Sequence, residues 1–193
     1  METITRVYNN YSDAAATVSA LERAGIASSN ISLIANKTVS SQYAEVDDAS
    51  DAATGLGVGA VAGGTVGLLT GLGLLAIPGL GPVVAAGWLA ATAVGAVAGG
   101  TVGGIVGALV SVGVPEEHAE VYSEVVRRGG TLLSVKADAS QSQVVHDIVD
   151  RHGPVDPADR AVEFRNSGWT KFDPDAPAYS ASESTTERIR RVS

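Results

Sequence analysis

The sequence predicts a small α+β fold whose chain is interrupted by a long apolar insert. Segments with the order strand–helix–strand and helix–strand–helix flank a stretch that contains no Asp, Glu, Lys or Arg between Asp51 and Glu116. Of the 23 glycines among the 193 residues, 18 lie in this stretch. The chain therefore divides into two charged flanks and an uncharged middle, which we expect to fold differently.

Residues 1–37 are predicted to form the first half of the α+β domain. The alternating β-branched residues of 2–9 indicate a strand. The Ser-Asp pair at 12–13 is suited to cap a helix that ends at Gly25. Residues 30–36 (NISLIAN) indicate a second strand, which completes a β-α-β unit.

Residues 115–153 are predicted to form the second half. Pro115 stands where a helix favours its first residue. In the helix predicted over 115–128, acids lead and arginines trail, as the helix dipole favours. A third strand is expected over 131–137 and a third helix over 140–152.

Without the insert, this element order suits a small sandwich in which helices cover one face of a sheet. We expect a ferredoxin-like topology, or a truncated relative without a fourth strand. Residues 38–51 are predicted to be a linker, and residues 154–193, rich in Pro, Ser and Asp, an extended tail. Within the tail, Trp169 and Phe172 are expected to dock on the domain or on a neighbouring chain, rather than to bind a ligand.

Residues 52–114 are predicted to form an antiparallel helical hairpin with glycine-zipper arms. Glycines recur every four residues, and a helix drifts by only about 40° over that step. Each series therefore forms a groove for close helix packing. The two series are Gly55, Gly59, Gly63, Gly67 and Gly71, and Gly87, Gly95, Gly99, Gly103 and Gly107, with Ala91 in the missing position. The nine residues Gly59–Gly67 recur as Gly95–Gly103, so folding the chain at Gly81 lays the copies side by side.

The sequence leaves open whether this hairpin packs in a bilayer or against other copies of the chain. Arms of about 25–30 residues are long enough to cross a hydrocarbon core of about 30 Å. Acidic flanks, including Asp51 and Glu116, stand where a cytoplasmic flank usually carries Lys or Arg. They favour burial in a water-soluble oligomer instead. A flexible Gly-Ala linker is the third alternative, which the Val, Leu and Ile residues of the stretch oppose.

Composition and motifs argue against several classes of function. The net charge of −8 offers no basic face, so we expect no nucleic acid partner. Cys is absent, which excludes disulfides and thiolate chemistry. No glycine run matches a nucleotide-binding motif, and the three histidines lack metal-binding spacing, so we expect no metal, no cofactor and no enzymatic activity. The polar N-terminus lacks a secretory signal, which favours a cytoplasmic protein.

Two segments carry a resemblance to a known family: TRVYNNYSDAAATVSALERAGIASSNISLIANK and SVGVPEEHAEVYSEVVRRGGTLLSVKA. They resemble the general stress protein 17M-like domain of the YflT-type heat-induced stress proteins, with the glycine-rich stretch as an insertion. The resemblance implies a bacterial, stress-linked, non-enzymatic protein, and it assigns no catalytic residues.

We therefore expect a structural protein that self-associates through its hairpin, at or in the inner membrane. The alternatives are a water-soluble ring, shell or filament with the hairpins buried between subunits, and small-ligand sensing by the α+β domain.

Overall fold

The computed structural model describes residues 1–36, 73–77, 79–92 and 104–176, which form an α+β fold around one five-stranded antiparallel sheet. The strands are β1 (Glu2–Tyr8), β2 (Ile31–Asn36), β3 (Gly73–Ile77), β4 (Gly81–Ala86) and β5 (Thr131–Ala137). The α-helices are α1 (Tyr11–Arg23), α2 (Gly104–Ser111), α3 (Glu116–Arg127), α4 (Ser142–Arg151) and α5 (Pro157–Asn166). Residues 88–92 are also helical, and Ser28–Asn30 form a 3₁₀ turn.

The strands lie in the order β1-β5-β2-β4-β3, and every neighbouring pair is antiparallel. Strands β1 and β2, joined through α1, are therefore parallel to each other with β5 between them. Ser134 of β5 pairs with Thr5 on one side and with Ser32 on the other. Ferredoxin-like folds share this split β-α-β arrangement. The described residues contain no strand beyond β1, so the ferredoxin-like assignment stays a prediction.

Helices cover both faces of the sheet, so the prediction of a single covered face is wrong. On one face, Val7, Ile34 and Leu132 belong to an apolar cluster with residues of α2, α3 and α5. On the other face, Leu33 and Leu133 belong to a second cluster with residues of α1 and α4. Both faces need a cover because β2 and β5 bury nearly every side chain along their length.

Glycines in the left-handed conformation end four of the helices in the same way. After α1, the N–H of Ile26 donates to Leu21 O, and the N–H of Gly25, at φ +86°, donates to Glu22 O. These two bonds define the Schellman motif, which satisfies the last carbonyls of a helix. The equivalent glycines after α2, α3 and α5 are Gly113, Gly129 and Gly168. Gly25 therefore ends α1, as the sequence predicts.

The helical hairpin predicted over 52–114 is wrong at residues 73–77 and 81–86, which form β3 and β4. The chain does reverse near Gly81, but between two strands. A four-residue glycine spacing does not distinguish a helix from a strand, because it places the glycines on one side of either structure. Strand β4 forms because it pairs with β2 and buries the four residues 83–86. The linker at 38–51 and the arm segments at 52–72 and 93–103 lie outside the described residues.

The extended tail predicted over 154–193 contains a helix, α5, and is wrong there. Asp156 caps this helix: its side chain accepts from the N–H groups of Ala158 at 2.8 Å and Asp159 at 3.1 Å. Pro157 occupies the first helical position, where its missing N–H costs nothing. The Asp-Pro pair is the sequence signal for this helix. Residues 177–193 lie outside the described part of the chain.

A buried tyrosine makes the fold sensitive to alkaline pH. The Tyr8 hydroxyl donates to Val149 O at 3.1 Å, and burial raises the pKa of Tyr8 from 10.0 to about 12. Burial also raises the pKa of Tyr11 and Tyr122. The unfolded chain loses its tyrosine hydroxyl protons at a lower pH than the folded chain does. The contribution of these tyrosines to stability is therefore full below pH 10 and falls as the pH rises through the folded pKa values.

We therefore expect the free energy of unfolding, measured by urea titration, to decline between pH 10 and about 12. Tyr8→Phe should lower it by about 1 kcal/mol near neutral pH, because one buried hydrogen bond is lost. The same variant should show a shallower alkaline decline than the native chain. Equal slopes in the two proteins would contradict the assignment to Tyr8.

Candidate self-association surface

Strands β3 and β4 both lie within the uncharged stretch. Strand β4 pairs with β2 from Val83–Asn36 to Ala86–Leu33, so it lies inside the sheet. Strand β3 pairs with β4 on one side, and no described strand lies on its other side. The uncharged stretch therefore supplies one edge of the sheet.

The outer strand β3 has the sequence GLLAI, without a charge or a proline. Ile77 and Leu75 face the apolar cluster under α3, where Ile77 is buried and Leu75 partly buried. Leu74 points to the opposite face and is 61% exposed, and Gly73 and Ala76 are also exposed. Edge strands usually carry charges, prolines or bulges that block the addition of another strand. Strand β3 has none of these devices.

Proline fixes which backbone groups of β3 point outward. Ala76 pairs with Pro82, which has no N–H to donate. In an antiparallel ladder, pairs that exchange hydrogen bonds alternate with pairs that do not. Ala76–Pro82 must be of the second kind, so Leu75–Val83 is of the first kind. The N–H and C=O groups of Leu74 and Ala76 therefore point away from β4, toward the open edge.

The opposite edge of the sheet, along β1, is protected. The N–H of Val155 donates to Val7 O at 2.8 Å, which covers one outward carbonyl. Arg6 forms an ion pair with Asp150 at 3.0 Å. Glu2 accepts a hydrogen bond from Ser142, and this bond is the main cause of the lowered pKa of Glu2. The two edges thus differ: one is charged and partly covered, and the other is apolar.

Polar and aromatic contacts fix the β3–β4 turn to the rest of the domain. The buried Asn36 side chain donates to Leu80 O at 2.9 Å and to Arg127 O at 3.1 Å. Gly79, at φ +76°, lies so close to the tail that an added Cβ would be 2.8 Å from the Phe172 ring. The turn is therefore held between the end of α3 and the tail.

The two aromatic residues singled out in the tail both lie on the body of the domain. Phe172 is buried in the apolar cluster that also contains Ile77 and Leu80. Trp169 packs edge-on against Phe164, with the ring centroids 5.7 Å apart. Trp169 follows the left-handed glycine that ends α5, where an apolar residue usually contacts the last turn of its helix.

We expect Asn36→Ala to lower the free energy of unfolding by about 1–2 kcal/mol, because the buried Leu80 carbonyl and the partly buried Arg127 carbonyl lose this donor. Chemical denaturation of the native and variant proteins measures the loss. Asn10→Ala, which removes an exposed helix cap on α1, is a useful reference at about 1 kcal/mol. An Asn36→Ala protein as stable as the native chain would show that the turn is held without this side chain.

Two of the ten predicted zipper glycines lie in the described residues, and they differ. Gly87 has φ +91°, and an added Cβ would lie 2.2 Å from Ile31 O. It lets the chain leaving β4 lie close against the backbone at the start of β2, so it is not a position in a helix groove. Gly107 is half-buried in α2, which packs against α3. The other eight, Gly55, Gly59, Gly63, Gly67, Gly71, Gly95, Gly99 and Gly103, lie outside the described residues.

A buried ion cluster, which the sequence analysis missed, joins α3 to α5. The Glu124 carboxylate is 1% exposed and accepts from Arg127 at 2.8 Å and from Arg128 at 2.6 Å. The Arg128 guanidinium also lies 4.3 Å from the centre of the Phe164 ring. The signal is a glutamate three and four residues before two arginines on a helix. Because both oxygens of this carboxylate are occupied, the cluster is structural.

Two further observations bear on the kind of site. Across the described ranges, no group of three or more His, Asp or Glu side chains is placed to hold a metal ion. No helix in the same ranges combines the length and the apolar character needed to cross a membrane.

Comparisons with known protein families, with curated proteins and with solved structures find no match to this chain. The resemblance to the general stress protein 17M-like family therefore stays a prediction. The fold and the surface together define an α+β protein with one apolar, uncharged sheet edge.

Proposed function

We propose that this chain is a non-enzymatic structural protein that associates with copies of itself through its uncharged stretch. The observation that carries the proposal is the edge formed by β3, whose side chains are apolar and whose outer side has no described strand. The resemblance to stress proteins supports a role in a bacterial stress response. This proposal replaces the helical hairpin around Gly81 as the contact surface, since residues 73–77 and 81–86 are strands.

The ionisable groups of the described domain support a structural role. Glu124 is engaged by two arginines, and Arg6 by Asp150. His146 lies 3.4 Å from Glu2 on the exposed face of α4, and His152 donates from Nδ1 to Ile148 O of its own helix. These contacts hold elements of the fold together.

A lipid bilayer at the inner membrane is the second candidate partner. It is favoured by the absence of formal charge between Asp51 and Glu116, since charged residues are the costly ones in hydrocarbon. The acidic residues at both ends oppose it, because anionic lipid surfaces attract Lys and Arg. We therefore place self-association first.

The size of the full-length chain tests the proposal. Purified without detergent, it should elute as a monodisperse oligomer whose mass, measured by light scattering, is a multiple of 19.5 kDa. Flotation with liposomes tests whether the chain also binds a lipid bilayer. An oligomer that stays in the soluble fraction supports self-association alone. An oligomer that floats with the liposomes supports the membrane form. A monomer that stays soluble at all concentrations would contradict both forms.

A further inference from the structure

We infer that two copies of the chain pair through β3, antiparallel about a two-fold axis at Leu75, so that two sheets become one ten-stranded sheet. The inference rests on the proposed self-association and specifies its surface. It commits to a second copy as the occupant of this edge, and three features of the described residues support that choice.

The first feature is the direction of the backbone groups of β3 that point away from β4. The outward N–H and C=O groups belong to Leu74 and Ala76, on either side of Leu75. A two-fold axis at Leu75 places Leu74 of one copy opposite Ala76 of the other, and the reverse. Both pairs then exchange N–H···O bonds, as the hydrogen-bonded pairs of an antiparallel ladder do. The register that makes the strand self-complementary is thus also the one that uses every outward group of these two residues.

The second feature is the distribution of apolar side chains. In this register Leu75 lies beside its own copy, on the face where it already packs against the apolar cluster. Leu74, which is 61% exposed, lies beside Ala76 of the other copy on the opposite face. The pairing therefore extends one core across the axis and covers the most exposed leucine of the described residues.

The third feature is charge. Each copy carries a net charge of −8, so two copies repel each other overall. Strand β3 carries no charge, and neither does any residue between Asp51 and Glu116. Strand pairing through β1 would instead place the charged residues Glu2 and Arg6 of the two copies near each other. It would also have to displace Val155, which already covers part of that edge. The β3 edge is where a second copy meets the least electrostatic opposition.

Single cysteines in this cysteine-free chain test the register. A non-hydrogen-bonded antiparallel pair has its Cα atoms about 4.5 Å apart, within the range of a disulfide. Leu75→Cys should therefore form a disulfide-linked dimer under mild oxidation of the full-length protein. Leu74→Cys is the matched control. The substituted residues of its two copies are diagonal neighbours about 7–8 Å apart, which is too far for a disulfide. We expect at least a tenfold higher cross-linked fraction for Leu75→Cys.

Because Leu74 is the more exposed of the two, random collisions would give the opposite order. A second measurement uses only exposed positions, in case Leu75→Cys disturbs the core. A mixture of Leu74→Cys and Ala76→Cys proteins should form the mixed disulfide faster than either protein links to itself, since these residues face each other.

The outcomes separate this inference from the proposed function. Preferential linking of Leu75→Cys, or of the mixture, supports β3 pairing. If the protein is an oligomer but Leu74→Cys cross-links as readily as Leu75→Cys, the β3 register is overturned while self-association stands. A chain that stays monomeric, with the β3 edge covered by its own residues, would overturn the inference and the proposed function together.

Discussion

Gly87→Ala is expected to lower the free energy of unfolding by about 2–5 kcal/mol, whereas the same change inside a helix usually raises it. Two effects add. The φ of +91° is one that L-residues adopt at a cost of about 1–2 kcal/mol. The new methyl group would lie 2.2 Å from Ile31 O and 2.7 Å from the Ser32 Cα, so β2 and the end of β4 must separate. Overpacking of this kind adds about 1–3 kcal/mol.

Gly113→Ala is the matched control, because it has nearly the same φ, +94°, and no atom within 4 Å of an added Cβ. It should cost about 1–2 kcal/mol, the strain alone. Urea unfolding of the two variants and the native protein measures the difference. A Gly87→Ala protein no less stable than Gly113→Ala would mean that Gly87 does not lie close against β2, and would reopen the zipper interpretation of that glycine.

Glu124→Ala is expected to lower the free energy of unfolding by about 3 kcal/mol. Removing one partner of a buried ion pair costs about 3–5 kcal/mol, because the remaining charge is left without compensation. We expect the lower end because Arg127 and Arg128 are partly exposed and can regain water. The change also removes the carboxylate that positions the Arg128 guanidinium over Phe164, so α5 should loosen from α3.

The matched control is Glu163→Ala, which removes an exposed carboxylate from a helical glutamate–arginine pair. Its partner is Arg160 at 2.9 Å, and the Glu163 side chain is 63% exposed. An exposed pair of this kind contributes about 0–1 kcal/mol. Equal losses for the two variants, measured by thermal or chemical denaturation, would show that Glu124 behaves as a surface residue.

Most elements of the charged flanks could be predicted from sequence, because their signals are local. Strand β1, helix α1 and strand β2 follow from alternation and from Gly25, and the structure confirms them with small shifts at their ends. The predicted cap at residues 12–13 is wrong, because Asn10 caps α1 and residues 12–13 lie inside the helix. The same holds for α3, β5 and α4. Helix α5 also has local signals, Asp156–Pro157 and Gly168, but the composition of the tail concealed them.

The sheet edge was not predictable because it depends on contacts that are distant in sequence. Residues 73–86 are apolar and glycine-rich, and such short runs suit a helix or a strand equally. What decides is the pairing of β4 with β2, together with the Asn36 side chain that holds Leu80. The cover on both sheet faces is hidden for a similar reason, since a fully buried strand lacks the alternation that would reveal it.

Sedimentation velocity of a charge variant tests most directly whether the uncharged edge is the association surface. Leu74→Lys places a positive charge on the β3 edge, whereas Val162→Lys makes the same change at a comparably exposed valine of α5 (61% and 56% exposed). Leu74→Lys should shift the protein to a smaller species or raise its dissociation constant at least tenfold, because two lysines would lie near the two-fold axis. Val162→Lys should sediment like the native chain. An oligomer that Leu74→Lys leaves unchanged would contradict association through this edge.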